Sequence, residues 1–252
     1  MEQSPLSHSI RNLEAELGLL LFHRTTRKTW LTQAGVRFLA EAKRILADVD
    51  SAAAALRAGE GEQAALIRLA VGEDLAGEPF TQLLFKLEHE HTGTTVDVRE
   101  RSHAEAVRLV SEGGAEVALT LDARPVEALQ QRRGWSEPLM LILPLGHPLA
   151  ERDSVELREL GGERLALPRP SVCPGYLAQV EGLFRRHDVP IVERVHARHW
   201  NTAVSFAAAG RAVALFPASF VNGNTSVAVV PMAESDAELV TWLLYRDGRE
   251  RP

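Results

Sequence analysis

The sequence predicts an α/β protein built from a small helical head, a long amphipathic helix and a larger body of alternating strands and helices. Three patterns carry this. Leu6, Ile10, Leu13 and Leu17 recur at spacings of four, three and four, which makes one apolar stripe on a helix. Phe38, Ala42, Ile45, Val49, Ala52 and Leu56 alternate spacings of four and three, a heptad seam. From residue 66 onward, strand patterns at 66–71, 95–99 and 116–121 alternate with helical patterns at 79–90 and 104–112. That rhythm implies a mostly parallel sheet with helices on its faces, and a second α/β run extends from about Leu143 to Pro217.

The first helix is legible from its ends. Ser4 suits an N-cap, and Pro5 then falls at the first helical position, where its missing N–H costs nothing. Gly18 stands where a left-handed residue ends the helix. The polar face carries Ser7, His8, Arg11 and Asn12, which suit phosphates and base edges. Gln3 and Ser4 sit at the helix N-terminus, where backbone N–H groups also favour phosphate. An ordinary surface helix would show the same stripe. The next segment separates the two readings: Arg24, Thr25, Thr26, Arg27 and Lys28 form a short basic, hydroxyl-rich turn between Leu21-Phe22 and Trp30-Leu31. A wing hairpin lying along a phosphate backbone needs such a turn.

Composition bounds the function. The chain has 252 residues, 45% hydrophobic and 25% charged, with a net charge of -6. That is room for one large or two modest domains, and it excludes a protein that coats nucleic acid through bulk charge. DNA binding must rest on a local patch. No apolar run reaches membrane-spanning length, and the first residues lack the basic start and apolar core of a secretory signal. Cys173, the single cysteine, forms no intramolecular disulfide. These features point to a cytoplasmic protein with no membrane partner. No CxxC pair, HExxH or P-loop is present, so no metal or other cofactor is expected. There is no Gly-x-Ser-x-Gly elbow, and the adjacent Ser102-His103 does not by itself make a nucleophile and its base, so no enzyme is expected.

Residues 3–14, then Leu17-Gly18, Leu21-Phe22-His23-Arg24 and Leu31-Thr32-Gln33-Ala34-Gly35, resemble the DNA-binding head of LysR-type transcriptional regulators. Further on, Glu137-Pro138-Leu139, His147-Pro148-Leu149-Ala150 and the run Ala208 to Pro217 resemble segments of that family's effector domain. The resemblance implies a partial winged helix-turn-helix at 1–33, a linker and dimerisation helix at 34–58, and a two-lobed, periplasmic-binding-protein-like effector domain at 66–252. Lobe one is expected at 66–142 and 226–252, and lobe two at 143–225, with the polar break Ala58-Gly59-Glu60-Gly61-Glu62 as the domain boundary. The implied function is a regulator that binds double-stranded DNA as a homodimer or homotetramer under control of a small-molecule effector. The resemblance also implies a head lacking its bracing first helix and a body lacking a closing helix, and hence weakened DNA binding. One alternative is a small-molecule-binding protein of the periplasmic type with no DNA role. Another is an enzyme on the same scaffold.

In open parallel sheets, ligands sit beyond the carboxyl ends of strands, near helix N-termini. Four segments meet that test: Gly72-Glu73-Asp74, Arg101-Ser102-His103, Pro168-Arg169-Pro170-Ser171 and Trp200-Asn201-Thr202. The expected effector is a small polar metabolite held between Ser102 and Thr202. Glu73 and Asp74 stand where the family commonly presents a hydroxyl, and Arg169 would pair with an acidic group on the effector. Each has a plainer reading: Asp74 and Ser102 as helix caps, Arg169 as a solvated cation, Trp200 as core and Cys173 as a structural thiol.

Overall fold

The computed structural model describes residues 5–25, 28–57, 65–72, 75, 77–90, 94–220 and 225–247. The head comprises helix α1 (Pro5–Leu17), a two-stranded hairpin of β1 (Phe22–Arg24) and β2 (Thr29–Leu31), and the start of a 25-residue helix α2 (Gln33–Arg57). Gly18 ends α1 with φ 66°, as the sequence required. The residue that α1 buries most is a carboxylate, Glu14. Its Oε1 accepts the Leu21 and Phe22 backbone N–H groups at 2.8 and 3.0 Å, so it holds the start of the wing against the helix. The apolar stripe is only partly covered: Leu6 is 68% exposed and Leu17 40%, while Ile10 and Leu13 are half-buried.

The Leu31–Gly35 run has a mechanical reason. The Thr32 hydroxyl donates to the Leu20 carbonyl and accepts the Gly35 N–H, capping α2 and pinning it to the preceding loop. A Cβ on Gly35 would lie 2.0 Å from the Leu21 carbonyl oxygen, so no other residue permits this close approach.

The body begins with β3 (Ala65–Gly72), α3 (Glu78–His89), β4 (Thr94–Arg101), α4 (His103–Ser111) and β5 (Val117–Thr120), close to the predicted bounds. Then come β6 (Gln130–Leu143), β7 (Arg164–Leu167), α5 (Pro174–Arg186), β8 (Glu193–His196), α6 (Trp200–Ala208), β9 (Ala214–Pro217), β10 (Ala228–Pro231) and β11 (Glu238–Tyr245). Strands β4, β3 and β5 run parallel, as expected. Strand β11 enters that sheet antiparallel between β5 and β6, and β6 also pairs antiparallel with β9 and β10, which corrects the expectation of a mostly parallel body. The physical reason is connectivity: β6 and β11 carry the chain out of the first lobe and back.

Strand β6 serves both lobes. Gln130 to Pro138 pair with β11, and Leu139 to Leu143 pair with β9 and β10. The change of partner along β6 falls between Pro138 and Leu139. Strand β10, up to Pro231, pairs with the later part of β6. Strands β7 and β8 form a separate parallel pair in the second lobe. One hydrophobic core runs through both lobes, from Leu69 and Leu119 through Leu139 and Leu141 to Leu165, Leu183 and Phe184.

Gln179 fastens α5 to the end of β5 and to β11. Its amide nitrogen donates to the carbonyls of Leu121 (2.6 Å) and Val240 (2.8 Å), and its oxygen accepts the Val240 N–H at 2.8 Å. Val240 stands at a register irregularity in β11, and the glutamine amide serves both of its backbone groups. Gln179→Leu is expected to leave buried backbone groups unsatisfied at about 1–3 kcal/mol each. Urea unfolding checks this, and a variant as stable as the parent would contradict the assignment.

Candidate functional site

Two surfaces merit description, the head and the junction between the lobes. On the head, His8 and Arg11 are exposed along α1, and Ser7 is half-buried. Gln3, Ser4, Thr26 and Arg27 lie outside the described residues. Thr25 closes the wing turn: its hydroxyl donates to the Lys28 carbonyl and accepts the Lys28 N–H. Arg24 turns inward. Its guanidinium lies 3.3 Å from Glu14 Oε2 and 5.9 Å from the centre of the Phe22 ring. Desolvation opposes ionisation of Glu14, but the backbone N–H groups of Leu21 and Phe22 and the nearby arginines outweigh it and hold the carboxyl below its ordinary pKa. The wing strands are further joined by His23 against Trp30, with ring centres 5.4 Å apart. Sequence reading gave Arg24 and Thr25 to the phosphate backbone. The structure gives both a partner inside the head and shows Glu14, which that reading missed, as the organising group.

At the lobe junction, a small cavity of about 40 Å³ is lined mainly by apolar side chains. Leu121 and Leu239 come from the first lobe, and Pro168, Tyr176, Trp200, Phe216 and Phe220 from the second. Trp200 meets Phe220 edge-on at 5.8 Å, and Tyr176 stacks with Phe216 at 6.0 Å. Trp200 is half-buried and forms part of this wall, so it is packing and lining at once. The Tyr176 hydroxyl donates to the Leu215 carbonyl. Burial, with Cys173 beside it, pushes its pKa far up, so it remains protonated and committed to that bond. Cys173, Arg198 and His199 also border the cavity. Two helix N-termini open beside it, those of α5 and α6, and neither is capped by a side chain.

The nominated effector residues divide. Ser102 caps α4, its hydroxyl donating to Glu105 at 2.8 Å while Glu105 accepts the Ser102 N–H. Arg169 and Asn201 are exposed and Thr202 is half-buried on the first turn of α6. None of Ser102, Arg169, Asn201 and Thr202 lines the cavity. Glu73 and Asp74 lie outside the described residues. His103 does not line the cavity either; its Nδ1 lies 2.8 Å from the Thr120 hydroxyl and its Nε2 3.6 Å from Asp122. The same Thr120 hydroxyl accepts the Asp122 N–H, so it joins His103 to the Asp122 backbone.

Asp122 is the group that sequence reading passed over. Its side chain is 1% exposed, and Arg124 folds back to grip both of its oxygens. Burial opposes ionisation, but the hydrogen bonds from Arg124 and the nearby His103 outweigh it and keep the carboxyl below its ordinary pKa. Asp122 stands directly after the predicted strand 116–121, so the rule that selected Ser102 would have selected it too. Gly175 at the start of α5 lies against it: a Cβ there would sit 2.4 Å from the Asp122 nitrogen. Among the described residues, no cluster of histidine, cysteine and carboxylate side chains is arranged to hold a metal ion. Among those same residues, no helix is long and apolar enough to cross a membrane.

Comparison with known proteins decides the family. Residues 60–252 match the LysR substrate binding domain, and residues 1–36 match the bacterial regulatory helix-turn-helix protein of the lysR family. The chain belongs to the LysR family of transcriptional regulators. It is 32% identical to the uncharacterized HTH-type transcriptional regulator YnfL of Escherichia coli (strain K12), over all of this chain and 85% of that protein. Full-length CbnR complexed with its target DNA has the same fold at a TM-score of 0.69 and 22% identity, over 100% of this chain and 86% of that one. The BenM effector binding domain with its effector benzoate superposes at a TM-score of 0.68 and 21% identity, over 74% of this chain and 85% of that one. The protein is thus a DNA-binding transcriptional regulator controlled by a small-molecule effector.

Burial lowers the pKa of His103, with Asp122 opposing the shift and Arg124 adding to it. Below the ordinary histidine value of about 6.5 the unfolded chain gains a proton that the folded chain does not, so stability falls as pH falls through that point. His103→Gln is expected to flatten the decline in melting temperature between about pH 6.5 and 5.5. A decline equally steep in the variant would contradict the assignment.

Proposed function

We propose that the effector of this regulator is a small acid with an apolar ring, and that its ring occupies the cavity at the lobe junction. The lining carries this reading: Trp200, Phe216, Phe220, Leu121 and Leu239 offer ring faces and aliphatic surface but few hydrogen-bonding groups. The acidic end suits the α5 and α6 N-termini and the neighbouring Arg198. The benzoate bound by the BenM effector domain is a compound of this class. This replaces a polar metabolite gripped between Ser102 and Thr202, because the Ser102 hydroxyl already serves the α4 cap.

A cavity of about 40 Å³ holds only a few waters, given that one water needs about 10–15 Å³ by this measure. Entry of a ring therefore requires the Trp200–Phe220 pair to part, and a ligand that favours the parted arrangement shifts the population towards it. We assign binding, not catalysis, to the junction: Tyr176, Thr120 and His103 are all committed to internal hydrogen bonds. DNA contact is assigned to Ser7, His8 and Arg11 on α1, to Lys28 on the wing, and to Gln3, Ser4, Thr26 and Arg27, which lie outside the described residues, with Arg24 and Thr25 shaping the wing. Pairing of two chains is assigned to α2, whose Val36, Ile45, Leu46 and Val49 are each more than half exposed. A role on DNA fits a protein of the cytoplasm.

The test is a thermal-shift screen with benzoate, cyclohexanecarboxylate, glutamate and glucose, then titration of the best binder. The ring acids are expected to stabilise the protein, and Trp200→Ala to weaken their binding about tenfold. Stabilisation by glutamate or glucose alone, or unchanged affinity in Trp200→Ala, would overturn the proposal.

A further inference from the structure

Helix α4 touches the lobe junction with one end and the linker helix with the other. Its first residue is His103, bound to Thr120 and facing Asp122. Its C-cap is Glu112, whose Oε1 lies 3.2 Å from Lys43 Nζ on α2. The second oxygen of Glu112 is held by Arg108, one turn back, at 3.0 Å. Between these ends the helix is short: nine residues, or about 13 Å at the usual rise. Its inner face, Ala106 and Val110, is fully buried on a floor of Ala70, Ala118 and Leu244. Ala70, Ala106, Ala115 and Ala118 keep much of this contact small, with Val110 and Leu244 its larger members. Gly113, at φ 78°, ends it abruptly, so Glu112 moves with the helix.

We propose that α4 carries the state of the effector cavity to the linker helix, through His103 at one end and the Glu112–Lys43 ion pair at the other. This rests on the reading of the junction cavity as the effector site. The contacts form a continuous series. The α5 helix, which supplies Tyr176 to the cavity wall, holds Leu121 through Gln179 and abuts Asp122 through Gly175. Thr120 and Asp122 hold His103, and α4 then reaches Glu112 and Lys43. Movement of α5 against the first lobe displaces the 120–122 segment and with it the start of α4. The ion pair is partly exposed and weak alone, so its part is to fix the register of α2 against α4 while packing against β3 holds α2 in place. The paired heads are carried on α2, so a change in that register changes their spacing.

Amide hydrogen exchange on the full chain, without effector or DNA, tests this directly. His103→Gln, and separately Thr120→Val, disturb the junction end. Each is expected to speed exchange about two- to fivefold in the α2 amides around Lys43, the size set by a contact of this kind. The same changes made on a Lys43→Gln or Glu112→Gln background should produce no further response there. Lys43→Glu combined with Glu112→Lys should restore the response that Lys43→Glu alone abolishes. An α2 that ignores both junction variants, or that responds equally with the ion pair removed, would overturn the proposal. Either result leaves the ring-acid reading standing or falling on its own titration.

Discussion

The two lobes meet across a junction that the chain crosses twice, leaving along β6 and returning between β10 and β11. A polar backbone cannot cross a buried junction without hydrogen bonds at each crossing. Gln179 meets that requirement for Val240 on β11 and also binds the Leu121 carbonyl beyond β5, where the Thr120 hydroxyl accepts the Asp122 N–H. The hydrophobic core is continuous through the same place, so the lobes are fastened by both packing and hydrogen bonds. The apolar cavity lies against this junction, where a modest change in the relation of the lobes alters its walls. As the proposed effector site, it owes that role to position more than to volume.

The buried carboxylates share one logic. Glu14 in the head and Asp122 at the junction are each almost wholly buried, and each is ionised because nearby donors compensate for desolvation. Neither is shaped as a catalytic group. Glu14 ties the wing to α1 through two backbone N–H groups. Asp122, fixed by Arg124, gives His103 a defined neighbour at the start of α4. Removing either partner of such a pair strands the other charge, so these positions resist substitution more than their exposed neighbours do.

The order of elements was legible in the sequence because each carries its own period. The βαβαβ run at 65–120 was read almost residue for residue, and Gly18 and Gly35 were read from their places in turns and motifs. The topology around β6 was not legible. A 14-residue strand serving two lobes looks like any other strand, and its register depends on partners some hundred residues away. The apolar cavity was not legible for a related reason. Ser102 and Thr202 satisfy a local rule about strand ends, but the Ser102 hydroxyl is consumed by a capping box whose partner, Glu105, was already visible three residues on. Phe216 came from a segment read only as a family signature, Phe220 lies three residues beyond it, and Gln179 had no local signal. Trp200 was weighed as core, and half of that was right.

A crystal structure with the tightest-binding ring acid locates the effector's ring. The expected result is difference density for the ring between Trp200, Phe216 and Phe220, with the Ser102–Glu105 cap intact. Density lodged between Ser102 and Thr202 instead, with the aromatic cavity still closed, would contradict that placement.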